Sequence, residues 1–167
     1  MAEGLAEFFV GKLGDVVPSE IIAFIVSLLP VLELRGGLIA AKLMDVEFFR
    51  AFAICYIGNM LPIPFILLFI RKIFQILKKV PKFGNIIVKL EEKSLSKADN
   101  VRKYKLWGLF LFVAIPLPGT GAWTGALIAD LLNMKIKEAF PVICAGVFVA
   151  GCIISAVSYG LFGLLGF

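Results

Sequence analysis

Two long apolar stretches of this 167-residue sequence are each interrupted near the middle by proline and glycine, and this feature restricts the available folds most strongly. Residues 21–44 are interrupted over residues 30–37, and residues 106–132 are interrupted over residues 116–121. Each interruption leaves two arms of about ten residues, which as helices would be about 15 Å long, half the thickness of a bilayer core. The sequence therefore predicts two re-entrant helical hairpins, each of which enters and leaves a membrane on the same face.

The composition places the chain in lipid. Hydrophobic residues make up 60% of the sequence and charged residues 17%, whereas about a quarter of a typical soluble domain is charged. A chain this short cannot bury so much apolar surface within itself. Two further apolar stretches, residues 48–70 and 139–167, are unbroken and long enough for a transmembrane helix. We therefore predict an all-α integral membrane protein, and the composition excludes a soluble enzyme, a disordered binder and a secreted disulfide scaffold.

The alternative to a hairpin at each interruption is a spanning helix with a kink, which proline alone can produce. Irregular backbone at membrane depth is tolerated only where protein or a water-filled cavity satisfies the freed N–H and C=O groups. The pattern Pro-x-Pro-Gly-x-Gly in the second interruption disrupts a helix more than a kink requires, and it favours the hairpin.

Sliding the sequence by 88 positions brings the two interruptions into register. Over residues 29–58 this produces eight identities, at Leu29, Pro30, Gly37, Ala41, Leu43, Ala51, Phe52 and Gly58. An internal duplication explains the pattern, with one hairpin and one transmembrane helix in each repeat, over residues 20–70 and 106–167. Because a hairpin does not cross the membrane, a single crossing separates the two hairpins, and the repeats are predicted to be inverted.

The basic residues are concentrated in the segment between the two repeats. Residues 71–105 contain eleven of the seventeen lysines and arginines and three acidic residues. Such a segment is typical of a cytoplasmic loop that meets anionic membrane lipids, and the pattern argues against nucleic acid as a partner. With this loop inside, the hairpin topology places both chain termini outside.

Two segments have the pattern of surface helices on a single membrane domain. Residues 1–18 are predicted to form an amphipathic N-terminal helix, with a peripheral part of the first spanning helix as the alternative. In the linker over residues 71–105, a helix continues to Pro81, and a second amphipathic stretch follows it.

The side chains needed for most enzyme chemistry are missing. The sequence contains no histidine and no ATP-binding loop of the G-x-x-x-x-G-K-[ST] type. Cys55, Cys144 and Cys152 have neither metal-ligand nor redox spacing and are interpreted as small packing residues. We predict no enzymatic activity, no metal site and no cofactor.

The ionisable residues nearest the interruptions are candidates for substrate or ion binding. Glu33 and Arg35 lie in the first interruption, and Asp130 lies near the end of the second hairpin. Charged groups in a membrane are costly and usually face a cavity or an ion pathway. Glu33 is a candidate proton-coupling carboxylate, and Arg35 has the planar fork that suits a phosphate group. The alternative is that the two residues only neutralise each other.

Small and aromatic residues complete the predicted site. Glycines allow tight turns, and the helix after each interruption presents N–H groups to an anion or a polar solute. The further candidates are Gly36, Gly37, Gly119, Thr120, Gly121 and Trp123. Inverted symmetry would bring both interruptions together near the membrane midplane.

The run over residues 30–41, paired with the run over residues 115–126, resembles the small multidrug export proteins of prokaryotes. The resemblance covers about residues 15–165. It implies export of small compounds across the inner membrane of a prokaryotic cell. The two-hairpin plan also resembles the DedA superfamily, and that resemblance implies movement of polyprenyl-phosphate or other lipids.

Three functions remain open from the sequence. The first is a secondary, proton- or ion-coupled exporter, an antiporter of small organic or amphipathic compounds. The second is a translocase or scramblase of phosphate-bearing lipids, in which Arg35 and the helix starts after the interruptions bind the phosphate group. The third is a membrane scaffold whose basic loop recruits partners. The sequence leaves open the substrate, the coupling ion, the direction of transport and whether the protein forms a homo-oligomer.

Overall fold

The computed structural model of the protein describes residues 17–78, 99–117 and 119–158, and also residues 4, 11, 88, 89 and 92. Within these residues the regular secondary structure is entirely helical, which confirms the predicted all-helical class. The helices are α1 Ser19–Leu28, α2 Glu33–Leu43, α3 Phe48–Met60, α4 Ile63–Lys78, α5 Asp99–Tyr104, α6 Leu106–Ala114, α7 Ala122–Leu131 and α8 Ile136–Ser158. The predicted N-terminal surface helix and the amphipathic stretch after Pro81 lie outside the described residues.

The first apolar stretch is divided into two short helices, as the sequence predicts. Helix α1 has 10 residues and helix α2 has 11. The chain leaves the helical conformation at Leu29, whose ψ of 135° is extended, because a residue that precedes proline is driven out of the α region. The non-helical segment covers only residues 29–32, which we call the first break. Glu33 and Arg35 therefore lie in the first turn of α2 rather than in the interruption itself.

The second apolar stretch is divided in the same way. Helices α6 and α7 have 9 and 10 residues. Ile115 precedes Pro116 and is extended, with a ψ of 117°. We call residues 115–121, between α6 and α7, the second break; the described residues 115–117 and 119–121 are non-helical and include two glycines with positive φ, Gly119 at 78° and Gly121 at 145°.

Two longer helical segments separate and follow these short pairs. The span Phe48–Ile70, which includes α3 and the start of α4, and the span Ile136–Val157 in α8 are long and apolar enough to cross a membrane. At the helical rise their 23 and 22 residues extend over about 33 Å, slightly more than a bilayer core. Their exposed apolar side chains include Phe49, Ile57, Phe65, Phe148 and Val157. Exposed apolar surface on this scale suits contact with lipid.

The chain forms two compact units. The first unit comprises Met1–Pro62 and Val147–Phe167, and the second comprises Ile63–Gly146. In the first unit, α1, α2 and α3 pack against one another. In the second unit, α7 packs against α4 and α6, and α5 packs against α6. The continuous helix α8 begins in the second unit and ends in the first.

The ends of the second arms are alike in the two units, at a spacing of 88 residues. Asp45 follows α2 and Asn133 follows α7, and both have a φ of 55°, a value unusual for residues other than glycine. The next helices then begin at Phe48 and Ile136, again 88 residues apart. The spacing found in the sequence is therefore repeated in the local backbone geometry.

Glycines at the same spacing bring helices into close contact in each unit. A Cβ atom on Gly37 of α2 would collide with Ser27 of α1. A Cβ atom on Gly125 of α7 would lie 2.6 Å from Cγ2 of Val113 of α6. Both distances are shorter than atoms tolerate, so each helix pair can pack this closely only because glycine has no side chain.

The first arms follow a spacing of 86 rather than 88 residues. Leu29 and Ile115, the extended residues at the ends of α1 and α6, are 86 positions apart. Pro30 therefore corresponds to Pro116, whereas the ungapped sequence alignment places it opposite Pro118. The second break, at seven residues, is three residues longer than the first, and the spacing between the units is 88 residues again at Leu43 and Leu131, the ends of α2 and α7.

Candidate functional site

Glu33, the first residue of α2 after the first break, is the most unusual residue of this region. Its exposed fraction is 7%, and its backbone has a φ of 50° at the first residue of α2. Its N–H donates to the carbonyl oxygen of Leu29 over 2.8 Å, which holds the start of the helix against the end of α1. The left-handed conformation costs a residue with a side chain about 1–2 kcal/mol, and burial of a carboxylate adds to that cost.

Arg35 lies beside Glu33 on the same turn. Its guanidinium interacts electrostatically with the carboxylate of Glu33, and the side chain is only half-buried. Between them, Leu34 is 2% exposed and lies against α8, where a Cβ atom on Gly151 would be 2.7 Å from Leu34 Cδ2. The charged turn is therefore held directly against the C-terminal half of α8.

Gly36 and Gly37, which the sequence analysis assigns to substrate binding, both have a packing role. A Cβ atom on Gly36 would lie 2.6 Å from Cβ of Leu32, and its N–H donates to the Leu32 carbonyl oxygen over 2.8 Å. Gly37 lies against α1 near the backbone oxygen of Ala23. Because close contacts already require glycine at both positions, a binding role is not needed to explain them.

In the second break, Gly119 and Gly121 adopt the positive φ values that favour glycine. Gly121 directly precedes α7, and its carbonyl oxygen accepts the N–H of Gly125 over 2.8 Å. These glycines shape the turn that leads into α7, and any binding role for their backbone stays a prediction.

The hydroxyl group of Thr120 stabilises this turn by hydrogen bonds. The Oγ1 atom lies 2.9 Å from the carbonyl oxygen of Ile115 and 2.8 Å from that of Leu117, and it accepts the Leu117 N–H over 3.1 Å. The single hydroxyl proton is thus directed at the break's own backbone. Thr120 therefore serves the conformation of the loop.

The two other candidates of the second unit lie at opposite ends of α7. Trp123 is half-buried on the first turn, and Asp130 is half-buried one residue before the end of the helix. Seven residues of helix separate them by about 10 Å. The structure therefore does not bring Asp130 to the second break, and the two residues cannot contact one small ligand together without long side-chain reach.

The buried polar side chains of the described residues all belong to the first unit. They are Ser27, Glu33, Asn59 and Ser155. The Ser27 hydroxyl donates to the Ala23 carbonyl oxygen over 2.8 Å. In the second unit, the positions that pack around Gly125 are apolar, with Val113, Leu109 and Ile143. The two units share a local plan, but the buried polar residues lie in the first, while the second buries the Nε1 atom of the half-buried Trp123.

Asn59 and Ser155 are the residues that the sequence analysis underestimated. Asn59 is 1% exposed and Ser155 is fully buried. Neither the Asn59 Oδ1 atom nor the Ser155 Oγ atom has a hydrogen-bond partner among the described residues. Buried polar atoms are normally satisfied, so these two atoms leave hydrogen-bonding capacity inside the first unit. The signal in the sequence was a polar residue within each otherwise apolar span.

Cysteine and acidic residues form no metal-binding group in the part of the chain that the structure describes. Cys55 is buried between α3 and α1, with its Sγ atom 3.9 Å from the Ala23 carbonyl oxygen. Cys152 is exposed on α8. The packing interpretation made from the sequence therefore holds for Cys55.

The structure combines short helix pairs, two long apolar helices and buried polar residues in one unit. These are the features of a helical integral membrane protein. The comparison with known families is specific: the chain belongs to the family described as "Putative small multi-drug export protein", whose model matches residues 33–153. That name points to a membrane transporter rather than an enzyme. No curated protein and no solved structure matches the chain. The resemblance to the DedA superfamily stays a prediction.

Proposed function

We propose that this protein is a secondary exporter of small organic or amphipathic compounds, driven by protons or another ion, in the inner membrane of a prokaryotic cell. Glu33 is the proposed coupling group. The observation that carries the proposal is the burial of this carboxylate, at 7% exposure, in a strained backbone conformation next to a helix break. Strained and buried charged residues persist where function requires them.

Other buried polar residues of the first unit support a polar pathway there. Asn59 and Ser155 supply buried polar atoms with unused hydrogen-bonding capacity in the two long helices. A substrate or a water molecule that reaches this unit would find partners there, whereas the packed interior around Gly125 in the second unit is apolar. The site of coupling is therefore proposed in the first unit alone.

The proposed architecture is an inverted repeat of two re-entrant hairpins. The repeated spacing of 88 residues in the helix starts, the turns and the packed glycines supports a duplication. Arms of 9–11 residues extend over roughly 15 Å, about half of a bilayer. Inverted repeats with discontinuous helices are a recurrent plan of secondary transporters.

Topology tests this architecture directly. We expect a cysteine introduced at position 89 to be labelled only from the cytoplasm, because it lies in the basic segment, and cysteines at both termini to be labelled only from outside. The measurement is labelling with a membrane-impermeant maleimide in cells and inverted vesicles, after replacement of Cys55, Cys144 and Cys152. Cytoplasmic termini would exclude re-entrant hairpins.

A second function, translocation of phosphate-bearing lipids, is favoured by one observation. Arg35 is only half-buried although it lies next to the buried Glu33. Its guanidinium could therefore meet a headgroup while its backbone stays in the packed turn, and arginine is well suited to phosphate. In this function, Arg35 carries the specificity and no coupling ion is required.

Transport by the purified full-length protein in proteoliposomes separates these functions. For the exporter, we expect uptake of cationic or amphipathic drugs that depends on an imposed pH gradient and collapses when a protonophore is added. For the lipid translocase, we expect movement of a fluorescent lipid phosphate between leaflets with no dependence on the gradient. Protein-free liposomes are the control. If folded protein shows neither activity, that result would contradict both proposals.

A further inference from the structure

A cavity of about 620 Å³ opens in the second unit, away from both breaks. Its lining comes from the end of the basic segment, around α5 and the start of α6, and from the turn between α7 and α8. The residues that matter to its chemistry are Tyr104, Lys105, Trp107, Met134, Lys135 and Glu138. The volume is in the range of small-molecule sites.

The cavity is flanked by two exposed lysines, each directly before a helix. Lys105 precedes α6, and no side chain caps the start of that helix. Lys135 precedes α8, and its carbonyl oxygen accepts the N–H of Glu138 over 2.9 Å. Serine, threonine and acidic residues are the usual choices at such positions, because the start of a helix attracts negative charge.

In the first unit, an acidic residue occupies the position directly before the equivalent helix. Glu47, which is 88 positions before Lys135, directly precedes α3, and its carboxylate accepts the N–H groups of Phe49 and Arg50, each over 3.1 Å. In the second unit a lysine occupies the equivalent position. The negative group that serves the helix start in the first unit is therefore replaced by a positive one beside the cavity.

One acidic residue partly offsets this charge. The Oε1 atom of Glu138 lies 3.9 Å from Nζ of Lys135, and the two side chains are 50% and 82% exposed. A contact this long and this exposed is weak. The cavity therefore keeps a net positive charge from its two lysines, and two helix starts add to it.

Aromatic and apolar side chains place the cavity at a membrane surface. Tyr104 is 52% exposed and Trp107 is 73% exposed, next to exposed lysines, and this combination is typical of the boundary between lipid and water. From Trp107, an exposed apolar stripe continues along α6 through Leu111 to Ile115, the residue that directly follows the helix. Residues four apart lie on one face of a helix, so the stripe extends about 12 Å from the cavity.

We propose that this cavity binds the phosphate headgroup of an anionic phospholipid in the leaflet that faces the basic segment. Lys105 and Lys135 hold the phosphate, and an acyl chain lies along the stripe Trp107, Leu111 and Ile115. The combination of a charged cavity with an adjoining apolar stripe favours a lipid over a free phosphate ion. The site is separate from Glu33 and does not depend on what the protein transports.

Fluorescence of Trp107 tests the site. The protein with Trp123→Phe has Trp107 as its only tryptophan, and it is reconstituted in phosphatidylcholine vesicles that contain brominated phosphatidylglycerol or brominated phosphatidylcholine. We expect a preference for the anionic lipid on the order of tenfold, since each lysine near a membrane surface attracts anionic lipid several-fold. Native mass spectrometry of the protein that retains Trp123 counts bound phosphatidylglycerol independently.

Matched variants distinguish a site from general surface charge. We expect K105Q/K135Q to lose the preference and K89Q/K137Q to keep most of it, because the second pair removes the same charge from exposed lysines that do not line the cavity. Glu138→Gln should strengthen the preference. Equal losses in the two double variants, or equal quenching by both lipids in the parent protein, would overturn the proposal. Abolition of the preference by excess inorganic phosphate would assign the cavity to the free ion instead.

Discussion

Replacing Glu33 with glutamine is expected to abolish uptake driven by a pH gradient while the yield of folded protein stays nearly unchanged. Glutamine keeps the size and the hydrogen-bonding capacity of the side chain but cannot titrate. Because Glu33 is buried, its proton is exchanged only when the site opens, which is the property a coupling group needs. The measurement is drug uptake in proteoliposomes, with and without an imposed gradient, together with thermal unfolding in detergent.

Arg35 supplies the control for a purely structural ion pair. If Glu33 and Arg35 only neutralise each other, Arg35→Gln would strand the buried carboxylate and destabilise the protein by about 3–5 kcal/mol. Glu33→Gln would strand the half-buried guanidinium and should cost less, because solvent screens that charge. The double variant would then recover stability. If Glu33 couples transport, the double variant should be stable and inactive. Normal gradient-driven uptake in the double variant would exclude a role for either residue.

Two further variants at position 33 separate backbone strain from chemistry. Glu33→Asp keeps the carboxylate and should keep part of the coupled uptake. Glu33→Gly should remove the cost of the φ of 50° and raise stability by about 1 kcal/mol, yet it should be inactive. A stable and active glycine variant would show that coupled uptake does not need the carboxylate at position 33.

Gly37→Ala is expected to cause the largest loss of stability in the first unit, about 3 kcal/mol. The new Cβ atom would collide with the Ser27 hydroxyl and would lie 2.9 Å from Cys55 Sγ and 3.0 Å from the Ala23 carbonyl oxygen. The Ala23 oxygen belongs to the backbone of α1, so it can move away only if α1 and α2 separate. The measurement is the midpoint of thermal unfolding at one fixed scan rate.

Gly125→Ala is the matched control, because it is the equivalent position in the second unit. There the nearest atom is a methyl carbon of Val113 at 2.6 Å, and the next is a side-chain carbon of Leu109 at 3.7 Å. Side chains can shift where backbone cannot, so we expect a loss of only about 1 kcal/mol. Adding Ser27→Ala to Gly37→Ala should recover part of the loss. A greater effect at Gly125 than at Gly37 would contradict this account.

The helix breaks and the membrane class were predictable because they depend on local chemistry. Pro30 and Pro116 end α1 and α6 through the conformation they impose on Leu29 and Ile115. Long apolar runs identify membrane helices without knowledge of their neighbours. The spacing of 88 residues was also predictable from the sequence. It recurs in the starts of α3 and α8 and in the turns before them, because each repeat unit folds by the same local rules.

The candidate site was predictable only in part. Glu33 and Arg35 were identified because charge in an apolar run is visible in a sequence. The roles of Gly37 and Thr120 could not be predicted. The role of Gly37 depends on contact with α1, and that of Thr120 depends on hydrogen bonds across the second break. Asn59 and Ser155 were not among the predicted site residues, because burial without a partner is a property of three-dimensional structure.

The sequence by itself determined where the chain turns and which segments require lipid, because proline, glycine and hydrophobicity act over one or two helical turns. The tertiary structure decided which polar side chains are buried, and it placed them all in the first unit among the described residues. It also aligned Pro30 with Pro116 rather than with Pro118, since helix ends define the correspondence and the second break has three more residues than the first. Burial and register depend on contacts between residues far apart in the chain, and those contacts cannot be predicted from a local sequence pattern.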